Sequence, residues 1–264
     1  MESFLLFIAV IPVILILIYV YSKDRNKEPT RLLVKLFLFG IVSCFLTLAL
    51  TDVLEKLIPF FAMETEDYSK IQILIYVFVG VALIEEFSKW LMAYLLGYQS
   101  EEFDEIYDSI VYAVFVSLGF ALFENLLYVF GDKSLIANVF VGIFRGILSV
   151  PGHACYGLYM GYFLSLAKVY SNRGRPDLEK RYLLLSIIVP TILHGIYDYC
   201  LMSKIGILIL VFFVFVILLF VFSIKRLKTI SQDTTKLAIK NHYCQECGSP
   251  VKGLYCSNCG ARQE

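Results

Sequence analysis

The sequence has 264 residues, of which 59% are hydrophobic and 17% are charged, and its net charge is zero. Since an ordinary soluble domain is about 25% charged, this composition excludes such a domain, and it equally excludes a disordered chain. It offers no basic surface, so we expect no nucleic-acid partner.

Eight apolar segments are long enough, or nearly so, to cross the lipid bilayer. They predict an all-α polytopic membrane helical bundle with seven to eight transmembrane segments. The segments lie at residues 4–21, 32–50, 71–97, 107–130, 135–150, 151–170, 182–201 and 204–223. The first segment has no basic residue before it and no small-residue cleavage site after it, so we interpret it as a span and not as a signal peptide.

Lysine and arginine residues in the short loops predict the orientation of the chain in the cell membrane. Residues 22–31, residues 171–181 and the stretch after residue 223 are basic, and we expect all three in the cytoplasm. Residues 51–70 contain five acids and two lysines, and we expect them outside.

This orientation requires an even number of crossings between the first two basic loops, yet five segments lie there. Residues 135–150 then enter without crossing, or residues 135–170 cross once as a helix broken at Pro151-Gly152. A single exception to the charge rule is the third alternative. A broken helix at membrane depth is tolerated only in protein or beside water, so a break would indicate an internal cavity.

Ionisable side chains occur inside the predicted spans, where one charge costs roughly 2.5–3.5 kcal/mol. They are Glu85, Glu86, Lys89, Glu124, Arg145, His153, His194 and Asp198. A spacing of four places Glu85 with Lys89, and His194 with Asp198, on one helix face. Gly157 and Gly161 form a small-xxx-small pattern that permits a close helix contact.

This set of residues supports the activation of water. A carboxylate can act as general base, and histidine with carboxylate can hold a metal that lowers the pKa of bound water. Each residue alone also has a structural interpretation, such as a hydrogen bond between helices or a simple Glu85–Lys89 ion pair. An ion-coupled transporter or a sensor would use similar residues, strung along the membrane normal. A family member that has lost activity is a third alternative.

The last residues contain four cysteines in a C-x2-C-x8-C-x2-C pattern. They are Cys244, Cys247, Cys256 and Cys259. Four thiolates at this spacing predict one tetrahedral structural zinc site in a small C-terminal zinc ribbon. Two disulfides are the alternative, but only in an oxidising compartment, and we expect this tail in the cytoplasm. There the ribbon would bind a protein partner or stabilise the tail.

Four motifs in order resemble the PrsW family of intramembrane proteases, which is related to the CAAX prenyl proteases. They are Glu-Glu-x-x-Lys at 85–89, Asp-x-x-x-Tyr to Glu-Asn at 108–125, His153 after Pro-Gly, and His-Gly-x-Tyr-Asp at 194–198. The resemblance divides the chain into a protease domain at 1–223, a linker at 224–242 and the zinc ribbon at 243–264.

The resemblance implies hydrolysis of a membrane-anchored protein substrate, such as an anti-sigma factor, on the outer side. It implies a catalytic set of Glu85, Glu86, Glu124, His153, His194 and Asp198. A catalytic zinc would be held by His153, His194, Glu124 and Asp198. Glu124 stands where related families often use histidine, and Asp198 where the prenyl proteases have asparagine. A metal and a glutamate-activated water both stay open as the mechanism.

Overall fold

In the computed structural model, the described residues form seven helices that are long and apolar enough to cross a membrane. They are α1 (Glu2–Lys23), α2 (Thr30–Leu57), α3 (Lys70–Tyr98), α4 (Ile106–Val129), α5 (Leu135–Asn172), α6 (Pro176–Met202) and α7 (Gly206–Ile230). The structure describes residues 2–63, 66, 68–131, 134–232, 242–243, 246–247, 249–251, 255–256 and 258–262. The predicted all-α membrane bundle is confirmed.

An odd number of spans agrees with the charges of the loops. Seven crossings place residues 24–29, residues 173–175 and the chain after Ile230 at one end of the bundle. Residues 58–69 lie at the other end, which we call the outer end. The basic loops therefore share one end, and the acidic loop lies at the opposite end, as the charge rule requires.

The two segments predicted at 135–150 and 151–170 form the single helix α5, so the predicted break at Pro151-Gly152 is wrong. The turn before the proline, Arg145–Ser149, is π-helical, and Val150 N donates to Arg145 O five residues earlier. Proline lacks an N–H and crowds the preceding turn of an α-helix. The wider π turn accommodates it, and the helix continues.

Helix α4 lies at the centre of the bundle, surrounded by α1, α2, α3 and α5. Helix α6 packs against α5 and α3, and α7 packs against α5 and α6. The predicted close contact at Gly157 and Gly161 is confirmed. A Cβ atom at Gly161 would lie 2.3 Å from the carbonyl oxygen of Ser109, and one at Gly157 would lie 2.7 Å from Ser117 Oγ. These glycines let α5 approach α4 directly.

The connection between α1 and α2 is fixed to the inner part of the bundle by buried polar contacts. The Tyr112 hydroxyl donates to Glu28 Oε2, and Asn26 Nδ2 donates to Glu105 Oε1. Glu28 is buried, and this burial raises the pKa of its carboxyl group to about 7. The loop is therefore held by α4 and by the residues just before it.

The chain after α7 contains two short strands. Strand β1 (His242–Tyr243) pairs antiparallel with β2 (Pro250–Val251), and Tyr255 forms an isolated bridge with Arg262. Helix α7 continues seven residues beyond residue 223, which was the predicted end of the membrane domain. Residues 233–241 of the stretch that was predicted as a linker lie outside the described residues.

Candidate active site

Four helices bring their ionisable side chains to one place inside the bundle. Helix α3 contributes Glu85, Glu86 and Lys89, α4 contributes Glu124, α5 contributes Arg145 and His153, and α6 contributes His194 and Asp198. Opposite charges alternate among them, which compensates the cost of burying each charge.

Lys89 joins the two glutamates of α3 to the histidine of α5. Its side chain is fully buried, with Nζ 2.6 Å from Glu86 Oε1 and 3.5 Å from Glu85 Oε2. The same nitrogen lies 3.2 Å from His153 Nδ1. An ammonium group can only donate, so His153 Nδ1 acts as acceptor in this geometry. The remaining ring nitrogen, Nε2, is then the one that faces Glu124.

His194 lies between two carboxylates. Its Nδ1 is 2.9 Å from Glu86 Oε1, and its Nε2 is 3.2 Å from Asp198 Oδ2. A ring nitrogen that faces a carboxylate oxygen acts as donor, so this geometry fits a doubly protonated ring. Both nitrogens are therefore occupied by hydrogen bonds within the site, and Glu86 is held between His194 and Lys89.

Glu124 is held from the opposite side by α5. Its Oε2 lies 2.9 Å from His153 Nε2 and 2.8 Å from Arg145 Nη2. Arg145 Nε donates to Asn125 Oδ1 at 3.2 Å, and the guanidinium group stacks 4.0 Å from the centre of the Tyr128 ring. Arg145, the first residue of the π turn in α5, therefore fixes the position of the Glu124 carboxylate.

Glu85, Glu124 and His153 form the tightest group of possible ligands at the site. One oxygen or nitrogen atom from each lies within 4.8 Å of the others. Glu85 Oε2 is buried and makes no hydrogen bond within the described part of the chain. An unpaired buried carboxylate oxygen is costly unless a proton, a water or a cation meets it. Lys89 Nζ lies 3.5 Å from this oxygen as an ion-pair partner but makes no hydrogen bond to it. The three donors therefore converge beside an oxygen that can accept one more hydrogen bond.

A cavity of about 580 Å³ opens onto these three residues. Asp198, His194 and Tyr156 also line it. The Tyr156 ring stacks on the His194 ring, with centroids 5.0 Å apart and an angle of 17° between the planes. Its hydroxyl group is buried and has no hydrogen-bond partner among the described residues. The cavity thus holds a second unpaired polar atom.

The structure brings all six residues of the predicted catalytic set into one connected group. Within the predicted metal set, however, His194 and Asp198 pair with each other, and Glu85 takes the third place beside Glu124 and His153. Adjacent residues of an α-helix point about 100° apart, and the two glutamates of α3 have different surroundings. Glu85 lines the cavity, whereas Glu86 is fully buried and does not.

Three residues at the site were not assigned a role from the sequence. The contact of Lys89 with Glu86 is shorter than the predicted one with Glu85, and the spacing of three between them indicates such a contact. Arg145 was recognised only as a costly charge in a span. Tyr156 carried no signal, because a tyrosine in an apolar helix is ordinary.

The cysteine tail forms a second possible metal site. One sulfur atom from each of Cys247, Cys256 and Cys259 lies within 4.8 Å of the others, and Cys244 lies outside the described residues. The sulfurs of Cys247 and Cys256 are 3.6 Å apart, close to the roughly 3.8 Å expected for tetrahedral zinc with bonds of about 2.3 Å. Hydrogen bonds from the Ser249 side chain and backbone lower the pKa of the Cys247 thiol to about 6.

Comparisons with known proteins identify the family of the chain. A family model described as "PrsW family intramembrane metalloprotease" matches residues 28–224 and ends before the cysteine tail. Protease PrsW of Clostridioides difficile is 33% identical over 243 residues, covering 91% of this chain and 97% of that protein. Protease PrsW of Oceanobacillus iheyensis is 35% identical, covering 84% and 94%. Protease PrsW of Bacillus subtilis is 35% identical, covering 72% and 79%.

No solved structure matches the chain. The three relatives are named as proteases, and this chain matches them over most of their length. The alternative of an ion-coupled transporter or sensor is therefore not supported. Donor atoms of Glu85, Glu124 and His153 also lie within 4.8 Å of one another, and hydrolysis requires such a convergence. The chain therefore belongs to the PrsW family of intramembrane proteases.

Proposed function

We propose that Glu85, Glu124 and His153 hold the water that attacks the peptide bond of a membrane-anchored protein. The observation that carries this proposal is the convergence of their three donor atoms beside a buried Glu85 oxygen that makes no hydrogen bond among the described residues. Water bound there would face the cavity, and that cavity gives a peptide segment access to it. Geometry of this kind is the first requirement for a general base.

The side chains then divide the chemistry among them. Glu85 accepts the proton of the attacking water and later returns it to the leaving amide nitrogen. The Tyr156 hydroxyl donates a hydrogen bond to the carbonyl oxygen of the scissile peptide bond, which becomes an oxyanion when water attacks. Lys89, Glu86 and His194 keep the two catalytic helices α3 and α6 in register through their buried hydrogen bonds.

The same donors fit a zinc ion. One histidine nitrogen with two carboxylate oxygens is a ligand set that zinc accepts, and the cavity leaves a further position open. Glu85, Glu124 and His153 would hold the ion through one donor atom each, and the ion would lower the pKa of a bound water toward 7. The other carboxylate oxygen of Glu85 would then accept the proton of that water. The Glu85 oxygen that makes no hydrogen bond supports this fit, and we propose a metal-dependent enzyme.

The substrate is proposed to be cut near the outer end of the bundle. Helices α4 and α6 run toward the outer end, and Glu124 and Asp198 lie in the outer halves of these two helices. The loop charges support a cytoplasmic position for the opposite end. An anti-sigma factor with one span is a substrate of this kind.

The tail is proposed to be a separate zinc ribbon in the cytoplasm. The convergence of three cysteine sulfurs and the turn at Gly260, where φ is +74°, support it. Gly260 N donates to the carbonyl oxygen of Cys256 at 2.8 Å, as in a compact cysteine knuckle. With Cys244 as fourth ligand the site would be closed and structural, and it would dock a protein partner. The proposed division stays at 1–223, 224–242 and 243–264.

Cleavage of a single-span reporter by purified protein tests the proposed centre. Glu85→Gln and His153→Ala should each lower kcat by at least about a hundredfold, the usual scale for a general base. Glu102→Gln, an exposed acid in the loop before α4, is the matched control and should cleave normally. Normal cleavage by both Glu85→Gln and His153→Ala would contradict the assignment of these residues to the catalytic centre.

A further inference from the structure

A second cavity lies between α1 and α7, in the half of the bundle that contains the basic loops. Its volume is about 180 Å³, and its floor includes the buried residues Val114 of α4 and Cys155 and Leu158 of α5. Tyr19 of α1 and Ile224 of α7 are the two exposed residues of its lining, one from each wall. The cavity therefore opens toward the bilayer between these two helices.

Two basic side chains lie at the inner end of this cavity. Lys23 follows Tyr19 by one turn of α1, and its ammonium nitrogen is 5.5 Å from the centre of the Tyr19 ring. Arg226 precedes the lining residue Leu227, and its guanidinium carbon is 4.2 Å from the centre of the Tyr162 ring. Among the described side chains neither cation pairs with a carboxylate, so both can bind an anion.

A buried hydroxyl group lies deeper in the same cavity. Ser223 is 3% exposed, and its Oγ makes no well-formed hydrogen bond among the described residues. The thiol of Cys155 beside it is only a weak partner. Since Ser223 precedes Arg226 by three residues, it lies about 4.5 Å further into the membrane. The polar layer of one leaflet is about 5–7 Å thick, so the hydroxyl group lies at ester depth when the arginine lies at phosphate depth.

We propose that this cavity binds one anionic phospholipid of the inner leaflet. One acyl chain fills the apolar part, the Ser223 hydroxyl donates to an ester carbonyl oxygen, and Lys23 and Arg226 bind the phosphate. The groups of the cavity occur in the order in which a phospholipid presents its own, and the positive charges complement the phosphate. The inference is independent of the proposed function.

The size of the cavity favours an acyl chain over a helix of another protein. One turn of α-helix, about 10 Å wide and 5.4 Å long, fills about 420 Å³. The cavity of about 180 Å³ is less than half as large. A single unbranched hydrocarbon chain is much narrower than a helix with its side chains, so it enters where a helix does not.

A shallow groove continues from the deep end of the cavity. Pro151 lines the cavity and also this apolar groove, which has a volume of about 540 Å³ and includes Gly142 and Gly146 of α5. A Cβ atom at these glycines would lie 2.9 Å from Ile8 Cγ2 and from Pro12 Cγ, respectively. The glycines therefore let α5 lie directly against α1, and the end of the acyl chain follows the seam between the two helices.

Quenching of tryptophan fluorescence by brominated lipids tests this site. Trp90→Phe removes the single natural tryptophan, and Phe220→Trp places one in the wall of the cavity. Tail-brominated phosphatidylglycerol or tail-brominated phosphatidylcholine is titrated into phosphatidylcholine nanodiscs that contain the full chain. Each basic side chain at the membrane surface favours an anionic lipid about fivefold, so half-maximal quenching should need at least about tenfold less of the brominated phosphatidylglycerol. Phe222→Trp, at an exposed position of α7, is the control and should show less than a twofold preference.

Matched charge variants distinguish a binding site from the general attraction of a basic surface. Lys23→Gln with Arg226→Gln should abolish the preference for phosphatidylglycerol at the Phe220→Trp reporter. Lys180→Gln with Arg181→Gln removes the same charge from exposed positions of α6 at the same end and should leave the preference unchanged. Equal quenching by the two lipids at the reporter, no quenching there by either lipid, or an equal loss of preference in both charge variants would each overturn the proposal.

Discussion

Replacing Lys89 tests the role of the buried charge network. Lys89→Met removes the only cation within 3.5 Å of both Glu85 and Glu86 among the described side chains, while it keeps an apolar stem of similar length. Both the lysine and Glu86 are fully buried. Breaking a buried ion pair by removing one partner costs about 3–5 kcal/mol. Glu86 would then keep only its contact with His194.

This cost should be visible as a lower melting temperature. For chains of this size about 1 kcal/mol corresponds to roughly 2–4 °C, so we expect a loss of roughly 6–20 °C in detergent. The single tryptophan of the chain, Trp90, lies next to Lys89 and donates to Ser186 Oγ at 2.8 Å. Its fluorescence reports unfolding close to the altered position.

Two further variants separate charge from shape. Lys89→Arg keeps the positive charge and should recover part of the loss. Combining Lys89→Met with Glu86→Gln removes both charges and keeps an acceptor for His194 Nδ1, so most of the lost stability should return. A Lys89→Met protein that melts within 2 °C of wild type would refute the argument that this ion pair is needed.

Three other predictions concern the oxyanion, the inner loop and the metals. Tyr156→Phe should lower kcat about 10²–10³-fold with little change in KM or melting temperature, and an unchanged kcat would remove the tyrosine from the mechanism. Burial raises the pKa of the Glu28 carboxyl group from 4.5 to about 7. Between these two pH values the folded protein holds a proton that the unfolded chain has released, so the free energy of unfolding falls as the pH rises from 4.5 to about 7. Glu28→Gln should therefore melt higher than wild type at pH 8 and equally at pH 4, and a higher melting temperature at both would contradict this. Elemental analysis should find two zinc ions per chain in the wild-type protein and one in the Cys256→Ser variant. The double variant with Cys256→Ser and Glu124→Gln should contain none. If Cys256→Ser alone lost both ions, the two sites would not be separate.

Much of the fold was predictable because membrane spans depend on length and hydropathy, which are local properties. The seven helices, the helix contact at Gly157 and the grouping of the ionisable residues all follow from the sequence. The treatment of Pro151 was wrong for a physical reason. A proline excludes a regular α-helical turn before it, but it does not exclude a π turn, and nothing in the sequence alone distinguishes the two outcomes.

The arrangement inside the site was less predictable, because it depends on which faces of four helices meet. The spacing of four predicted a contact of Lys89 with Glu85, whereas in the structure Glu86 is closer to the lysine. His194 and Asp198 share a helix face as predicted, and the structure uses this face for a contact between the two. The unpaired Tyr156 hydroxyl is visible only once the surrounding helices are in place.

The π turn at Arg145–Ser149 also determines how the two halves of α5 are rotated relative to each other about the helix axis. One additional residue in a turn rotates everything that follows by about 100° relative to a regular α-helix. The outer half of α5 can therefore turn its glycines toward α1, while the inner half turns Gly157 and Gly161 toward α4. Deleting one residue, such as Ile147, would restore regular winding and make the two faces incompatible. The length of this single turn therefore couples the contact between α5 and α1 to the position of His153.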